Sequence, residues 1–335
     1  MEMRRRVRVK SPANLAFIKY WGRRDDELIL PLNTSISMNL SSCYTVTQLE
    51  VREDLEEDEI WVKFYGEEKK KLAGKQLERV LRQIERLRQK YDFEFKVKME
   101  SENNFPADAG IASSASGFSA LTVAMIELMG VKLSERELSV ETRLSGSGSA
   151  CRSIPDGIVK WERGEGEDGG DSFAYSLYSA DYWELWDLVV VVSREKKRVG
   201  SAEGHKLAKN EYMEARLKRI EERVGEVERA LEEKDLERLG RVIENDALSL
   251  HAVAMLSEPP LFYLNHKTWR VIEWLQSQRE RGLEGYFTMD AGPNVHIVCE
   301  RRDKDELVAG LKEVEGVEEV IISKVAEGAR VVEVE

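Results

Sequence analysis

Residues 103–117 read NNFPADAGIASSASG, with two glycines, four alanines and three serines in one short run. The alternating stretch FEFKVKM (93–99) precedes it, and an amphipathic helical run begins at Phe118. A strand that breaks into small residues and re-emerges as a helix leaves backbone N–H groups pointing outward at the helix start, where the helix dipole favours an anion. Small side chains let the backbone approach phosphate oxygens, and Ser113, Ser114 and Ser116 add hydroxyl donors or a magnesium ligand. The stretch therefore reads as a phosphate cradle. A small-residue loop packed tightly on a sheet has the same local composition, so both readings stand at this point.

The chain has 335 residues, more than one ordinary core organises, and two domains of roughly 150 residues are expected. It carries 63 acidic against 51 basic side chains, for a formal net charge of −12. That balance argues against nucleic acid or an anionic membrane as a partner, and an anionic small ligand would need a local cationic pocket. Cys43, Cys151 and Cys299 are scattered and odd in number, which points to a reducing compartment rather than a disulfide framework or a zinc site. No stretch approaches the roughly 18 apolar residues of a membrane span, and a cytoplasmic protein is expected.

An early strand with Val7 and Val9 leads into NLAFIKYWGRRDDELILPLNTSISMNL, where Lys19, Tyr20, Trp21 and Gly22 close an apolar run, followed by a charged turn, Arg23 to Glu27, and a second strand-like run with Asn33, Thr34, Ser35 and Ser37. A lysine beside two aromatics is either a snorkelling surface residue or a catalytic one. Strands are predicted over 44–51 and 59–65, and an amphipathic helix without evident chemistry over 75–91. Phe118, Leu121, Met125 and Leu128 mark the inner face of the helix behind the cradle, and Ser134 with Glu137 forms a capping box for the next. A second small-residue loop, SGSGSA (145–150), carries Arg152 beside it and leads into the strand-like IVKW, a combination suited to capture of a carboxylate or phosphate. The buried run Trp186–Ser193 marks the start of a second domain, followed by helices over about 206–234 and 235–257. The closing unit reads helix 267–281, strands 285–289 and 295–299, helix 303–313, and strands 317–323 and 329–334. Asp290 lies between its first two strands in DAGP, where a turn-capping aspartate is the plain alternative to a functional one. None of the four histidines has metal-ligand spacing, and each reads as structural or solvated.

The strings ANLAFIKYWGRRDDELILPLNTSISMNL, NNFPADAGIASSASGFSALTVA, SGSGSACRSIPDG, HAVAMLSEPPLFYLN and FTMDAGPNVHIV together resemble the diphosphomevalonate decarboxylase family of the GHMP kinase superfamily, in the same order from about residue 11 to about 299. The resemblance implies a two-domain α+β GHMP kinase fold, with an ATP-binding unit over 1–185 and a ferredoxin-like C-terminal unit over 186–335. It implies an enzyme that phosphorylates the tertiary hydroxyl of mevalonate 5-diphosphate with ATP and Mg2+, then releases phosphate and CO2 to leave isopentenyl diphosphate. By the same resemblance Asp290, Lys19 and Arg152 are catalytic, and Tyr20, Arg23, Ser147, Ser149 and Arg152 hold the substrate. Pro106, Ala107, Gly110, Ala112, Ser113, Ser114 and Ser116 hold ATP, with Ser114 on the magnesium, and the family is typically a homodimer. One segment departs from the pattern: VGSAEGHK (199–206) has Ala202 where some members place an arginine near the substrate diphosphate, and Gly204-His205 where the family has Gly-Met. Arg23 and Arg198 are the cations left to meet the diphosphate. A mevalonate 5-phosphate decarboxylase and a mevalonate 3-kinase without decarboxylation therefore stay open as alternatives.

Overall fold

The computed structural model describes residues 5–106, 110–111, 113–195 and 199–335. Its framework is set by two long strands, β1 (Arg6–Ile18) and β4 (Ser35–Val51), which pair antiparallel over most of their length. Between them a small hairpin, β2 (Arg23–Asp25) and β3 (Leu30–Pro31), carries the charged turn. The strand-like run with Ser35 and Ser37 and the strand predicted over 44–51 are thus one strand, legible only in two pieces because SISMNL is buried on both faces and shows no alternation.

Next come β5 (Glu59–Lys63), β6 (Lys70–Lys71), α1 (Gly74–Tyr91) and β7 (Val97–Asn103). β7 pairs antiparallel with β4 and parallel with β5. α1 turns Ile84 and Leu87 inward, as its stripe predicts, against a core that includes Val9, Leu49, Ile60 and Leu121.

α2 (Ser113–Leu128) begins five residues before Phe118 and is buried almost all round, beyond the inner face of Phe118, Leu121, Met125 and Leu128 that its amphipathic pattern marks. Its small residues let it lie close against β1 and β4: Ser116 Oγ meets Thr45 Oγ1 at 2.7 Å, and Ser119 Oγ donates back to the Ala115 carbonyl at 2.7 Å. α3 (Glu135–Arg143) opens with the predicted capping box, in which the Ser134 N–H donates to Glu137 Oε2 at 2.8 Å and Ser134 Oγ accepts the Glu137 N–H at 3.3 Å. The second small-residue loop enters a 3-10 turn over Gly148–Ser153, and then β8 (Ile158–Trp161) and β9 (Ala174–Tyr178) pair across the acidic turn. β8 joins the first half of β4, so the sheet forks there.

β10 (Leu185–Val191) opens a second sheet. The helical run expected over 206–234 is divided into α4 (Ser201–Leu207), α5 (Glu211–Lys218) and α6 (Ile220–Glu233): Asn210 separates the first two, capping α5 through the Met213 N–H, and the last two part at Arg219. α7 (Leu236–Met255) is capped by Asp235, and α8 (His266–Arg279) by Asn265. β11 (Tyr286–Thr288), β12 (Val295–Glu300), α9 (Arg301–Leu311) and β13 (Glu319–Lys324) complete a four-stranded sheet of order β11-β12-β10-β13. Counted along the chain, its strands lie 2-3-1-4, the ferredoxin-like arrangement.

β14 (Arg330–Val334) is not the last strand of that unit. It crosses back and pairs with β1 at the edge of the first sheet. A core shared by Leu15, Phe17 and Ile18 of β1, Val189 and Val191 of β10, and Leu239 and Ile243 of α7 joins the two halves. Among the described residues no helix is long and apolar enough to cross a membrane.

Candidate active site

Lys19 follows the last residue of β1, and Asp290 lies two residues beyond β11 in a tight turn closed by the Gly292 N–H on the Asp290 carbonyl at 2.7 Å. The shared core brings these strand ends together at the floor of one cleft. There the Lys19 ammonium donates to Asp290 Oδ1 at 2.7 Å and to the Ala16 carbonyl at 2.7 Å. The Lys19 side chain is 2% exposed and that of Asp290 23%, so the lysine is enclosed while an edge of the carboxylate opens on the cleft. Burial disfavours ionised Asp290, but Lys19 foremost, with His296 and Arg152, outweighs it and holds the carboxyl below its ordinary range. The carboxylate is thus a charged acceptor at neutral pH, as a proton-accepting role requires.

Arg152 projects from the 3-10 turn with its guanidinium pinned from behind. Nε and Nη2 share Asn14 Oδ1 at 3.2 and 3.0 Å, and Nη1 donates to Ser35 Oγ at 2.7 Å. Five N–H donors on a planar fork leave two for a ligand once these three bonds are made. Tyr20 and Arg23 stand together, with Arg23 Nε donating to the Tyr20 hydroxyl at 2.7 Å. Burial pushes the Tyr20 phenol up to about 12 against the pull of Arg23, so it stays protonated. Gly148 makes this wall possible, since a Cβ there would fall 2.9 Å from the Trp161 ring and 3.2 Å from the Tyr20 ring.

Across the cleft is the start of α2, with Gly110, Ser113 and Ser114 in the wall and Ser114 Oγ 3.1 Å from Ser147 Oγ. Gly110 has φ +87°, and a Cβ on it would lie 3.0 Å from Gly292 Cα. The cradle and the Asp290 turn therefore touch backbone to backbone. All of Lys19, Tyr20, Arg23, Ser147, Ser149, Arg152 and Asp290 line this one cleft, as the sequence led us to expect. Ala107, Ala112 and Arg198 lie outside the described residues.

Two expected cradle residues are not in the wall. Pro106 is buried ahead of the loop, and Ser116 is fully buried with its hydroxyl on Thr45 and on the Ser113 carbonyl. The packing reading of the small residues is therefore right for Ser116, whereas Ser113 and Ser114 face the cleft. The two readings describe opposite sides of one helix turn.

Three features were missed in the sequence. Arg79, on a helix that shows no chemistry in its pattern, reaches the cleft beside Ser114 and donates to the Gly146 carbonyl at 3.3 Å. A charge on the polar face of a surface helix gives no signal of this kind. His205 lines the cleft too, its ring 4.1 Å from that of Tyr20 and 4.7 Å from that of Trp21, with Nδ1 accepting the Gly22 N–H at 3.0 Å. Beneath Asp290, His296 Nδ1 and Asp187 Oδ2 form a fully buried pair at 2.8 Å. Burial works against a charged imidazole there, but Asp187 raises His296 above its ordinary value.

Among the described residues the lining includes four cations, Lys19, Arg23, Arg79 and Arg152, and one carboxylate, that of Asp290. In a chain of net charge −12 this is a local trap for polyanions. A second, more apolar cleft lined by Phe64, Val80, Met99 and Leu121 shares Arg79, Ser113 and Ser114 with the first, and an apolar lining of this kind suits an aromatic ring. Among the described residues no three His, Cys, Asp or Glu side chains are grouped to hold a metal. A magnesium ion would fit here only as phosphate-bound Mg2+ assisted by an oxygen such as Ser114 Oγ, which accords with its preference for phosphate and water over all-protein cages.

A helix N-terminus facing a lysine-held aspartate across a cationic cleft, on this α+β framework, defines the GHMP kinase-like class. Residues 11–174 match the family model of the diphosphomevalonate decarboxylase-like N-terminal domain, and residues 187–334 that of the mevalonate 5-diphosphate decarboxylase C-terminal domain. The diphosphomevalonate decarboxylase of Saccharomyces cerevisiae is 36% identical over 318 residues, covering 90% of this chain and 79% of its own. The crystal structure of mevalonate diphosphate decarboxylase from Staphylococcus aureus superposes with a TM-score of 0.90 at 35% identity, covering 99% of both chains. A structure described as MDDEF in complex with MVAPP, AMPPCP and magnesium superposes with a TM-score of 0.88 at 32% identity, over 98% of this chain and 99% of the other. The chain belongs to the diphosphomevalonate decarboxylase family.

Proposed function

We propose that this enzyme converts mevalonate 5-diphosphate to isopentenyl diphosphate, with ATP consumed and ADP, phosphate and CO2 released, as a step of isoprenoid synthesis. The observation that carries the reading is the Lys19–Asp290 pair at 2.7 Å, set opposite Arg152 and facing the α2 N-terminus across one cleft. The 1–185 unit would carry the nucleotide, and the 186–335 unit would bring Asp290 to it. A homodimer in the cytoplasm completes the reading.

ATP with Mg2+, which a structural neighbour binds as AMPPCP with magnesium, would supply the phosphoryl group that turns a poor leaving group into a good one. Ser113, Ser114 and Arg79 would hold its phosphates, and the apolar cleft beside them its base. The chain's own residues supply the rest. Asp290 accepts the proton of the tertiary hydroxyl as the oxygen takes the phosphoryl group, while Lys19 keeps the carboxylate charged and hydrogen-bonds the oxygen. Arg152 holds the substrate carboxylate through its two remaining donors, as an ionised planar group in fixed orientation. The carbon–oxygen bond to phosphate then breaks, the bond to the carboxylate carbon breaks with it, and that electron pair becomes the alkene. Tyr20 and Arg23, which line the same cleft, would meet the 5-diphosphate.

A specific observation favours a second reading, the 5-monophosphate as substrate: Ala202 forms part of the cleft wall and contributes no charge there. Turnover on mevalonate, its 5-phosphate and its 5-diphosphate, measured side by side, decides between them. The expected result is ADP, phosphate and CO2 in equal amounts, fastest on the diphosphate. A strong preference for the monophosphate moves the substrate and keeps the chemistry. A stable 3-phosphorylated product, with ADP and no free phosphate, overturns the decarboxylase reading.

A further inference from the structure

Lys19 has a second set of partners, on its backbone. Its N–H donates to Asp246 Oδ2 at 2.8 Å, and its carbonyl accepts from Arg216 Nη2 at 3.1 Å and from Asn33 Nδ2 at 3.0 Å. Asp246 and Arg216 are themselves paired: Arg216 Nη1 is 2.8 Å from Asp246 Oδ1, Nη2 is 2.9 Å from Oδ2, and both side chains are 0% exposed. Arg216 is further fixed by the Asp246 carbonyl at 3.0 Å and Ser249 Oγ at 3.1 Å. One ion pair, from α5 and α7, thus grips the donor and the acceptor of a single peptide residue on the first sheet.

A buried strand end must satisfy its N–H and C=O, but neutral side chains or water do that at less cost. Taking two charges fully out of water is expensive, and apolar residues of the same volume often serve stability as well or better. The expense is concentrated on the residue whose ammonium meets Asp290, where an error of about 1 Å in position costs roughly 100-fold in rate. We propose that Arg216 and Asp246 are positioning residues for catalysis, a clamp on the Lys19 main chain that aims its ammonium at Asp290.

The inference rests on the decarboxylase reading, and its test separates the two. The charged and titratable groups that face Asp290 are Lys19 from the end of β1, Arg152 from the 3-10 turn, His251 from α7 and His296 from β12. Lys19 is the foremost influence opposing the burial that raises the Asp290 carboxyl. If the clamp aims Lys19, loosening it lets Asp290 take up a proton at higher pH, and the acid limb of the kcat profile moves upward.

Arg216→Lys keeps a cation beside Asp246 but cannot span Asp246 and the Lys19 carbonyl together. Asp246→Asn keeps the volume and removes the charge. Arg223→Gln is the control: Arg223 also meets Asp246 Oδ1, at 3.3 Å, but makes no bond to Lys19. In Arg216→Lys and Asp246→Asn, kcat falls at least about tenfold with KM for both substrates little changed, and the acid limb rises. Arg223→Gln lowers the melting temperature and leaves the limb in place. A lowered melting temperature with an unmoved limb in the two clamp variants reduces the pair to a fold element and overturns the proposal, as does failure of both variants to fold. Wild-type protein that releases no CO2 overturns the reaction instead, whatever the variants do.

Discussion

Lys19 and Asp290 are 271 positions apart in the chain and 2.7 Å apart in the structure, and their ion pair links the end of β1 to the turn after β11 at the cleft floor. Asp290→Asn keeps the shape of the turn and removes the charge that receives the proton. Turnover is expected to fall at least about 100-fold, with affinity for an ATP analogue little changed. Steady-state rates beside calorimetry check this, and near-normal turnover would make Asp290 a turn cap.

Arg152 is held by Asn14 and Ser35 so that its free edge faces the cleft. Arg152→Lys replaces a planar fork by a point charge that cannot keep both supports and still present two donors. The expected defect is a raised KM for the mevalonate substrate and a lowered kcat, with the KM for ATP unchanged. Equal damage to both KM values would count against carboxylate capture.

At the other end of the cleft, Ser114→Leu places bulk over the first turn of α2, and Arg79→Ala removes a cation beside it. Each is expected to weaken binding of a non-hydrolysable ATP analogue at least about tenfold without a large change in melting temperature. Titration calorimetry and a melting curve on the same samples separate the two quantities. Unfolding without a selective loss of affinity would leave the loop as packing only.

His251 is 2% exposed, bonds the Asp290 backbone, and is brought down to about 4, first by burial and then by Lys19. A histidine depressed from 6.5 stays neutral in the folded protein while the unfolded chain takes up a proton, so its stabilisation is complete above about pH 6.5 and is lost as pH falls toward 4. The loss is on the order of 3 kcal/mol. Melting curves between pH 7 and 4 should show a steeper fall for the wild type than for His251→Gln, and parallel curves would remove His251 as the cause.

Much of the cleft was legible because its chemistry needs unusual local sequence. Taken singly, the alanine-, serine- and glycine-rich loop ahead of a helix and the aspartate before Ala-Gly-Pro have plain structural alternatives, and it is their occurrence together with IKYWGR and SGSACRS in one order that marks a site. What stayed hidden depends on tertiary contact. Arg79 looks like any charge on a surface stripe, and β14 reads as one more strand of the closing unit until β1 is seen to need a partner on its outer edge. Asp246 had a signal that went unread: it lies on the buried stripe of α7, between Ile243 and Leu250, where a carboxylate needs a reason. The long strand β4 was legible only in two pieces because alternation vanishes where both faces are covered, and α2 looked half-exposed because its serines pack inward through hydrogen bonds.

Gly110 and the Asp290 turn touch with no side chain between them, so the loop ahead of α2 and the loop that bears the lysine-held carboxylate share one surface of contact. For a lineage of such proteins this narrows the routes of change. Any residue bearing a Cβ at position 110 must push the backbone at Gly292, so a change at this point disturbs both loops together. Diversification is left to the walls, at positions such as Ala202, where side chains can be exchanged while the two loops are inherited as a single piece.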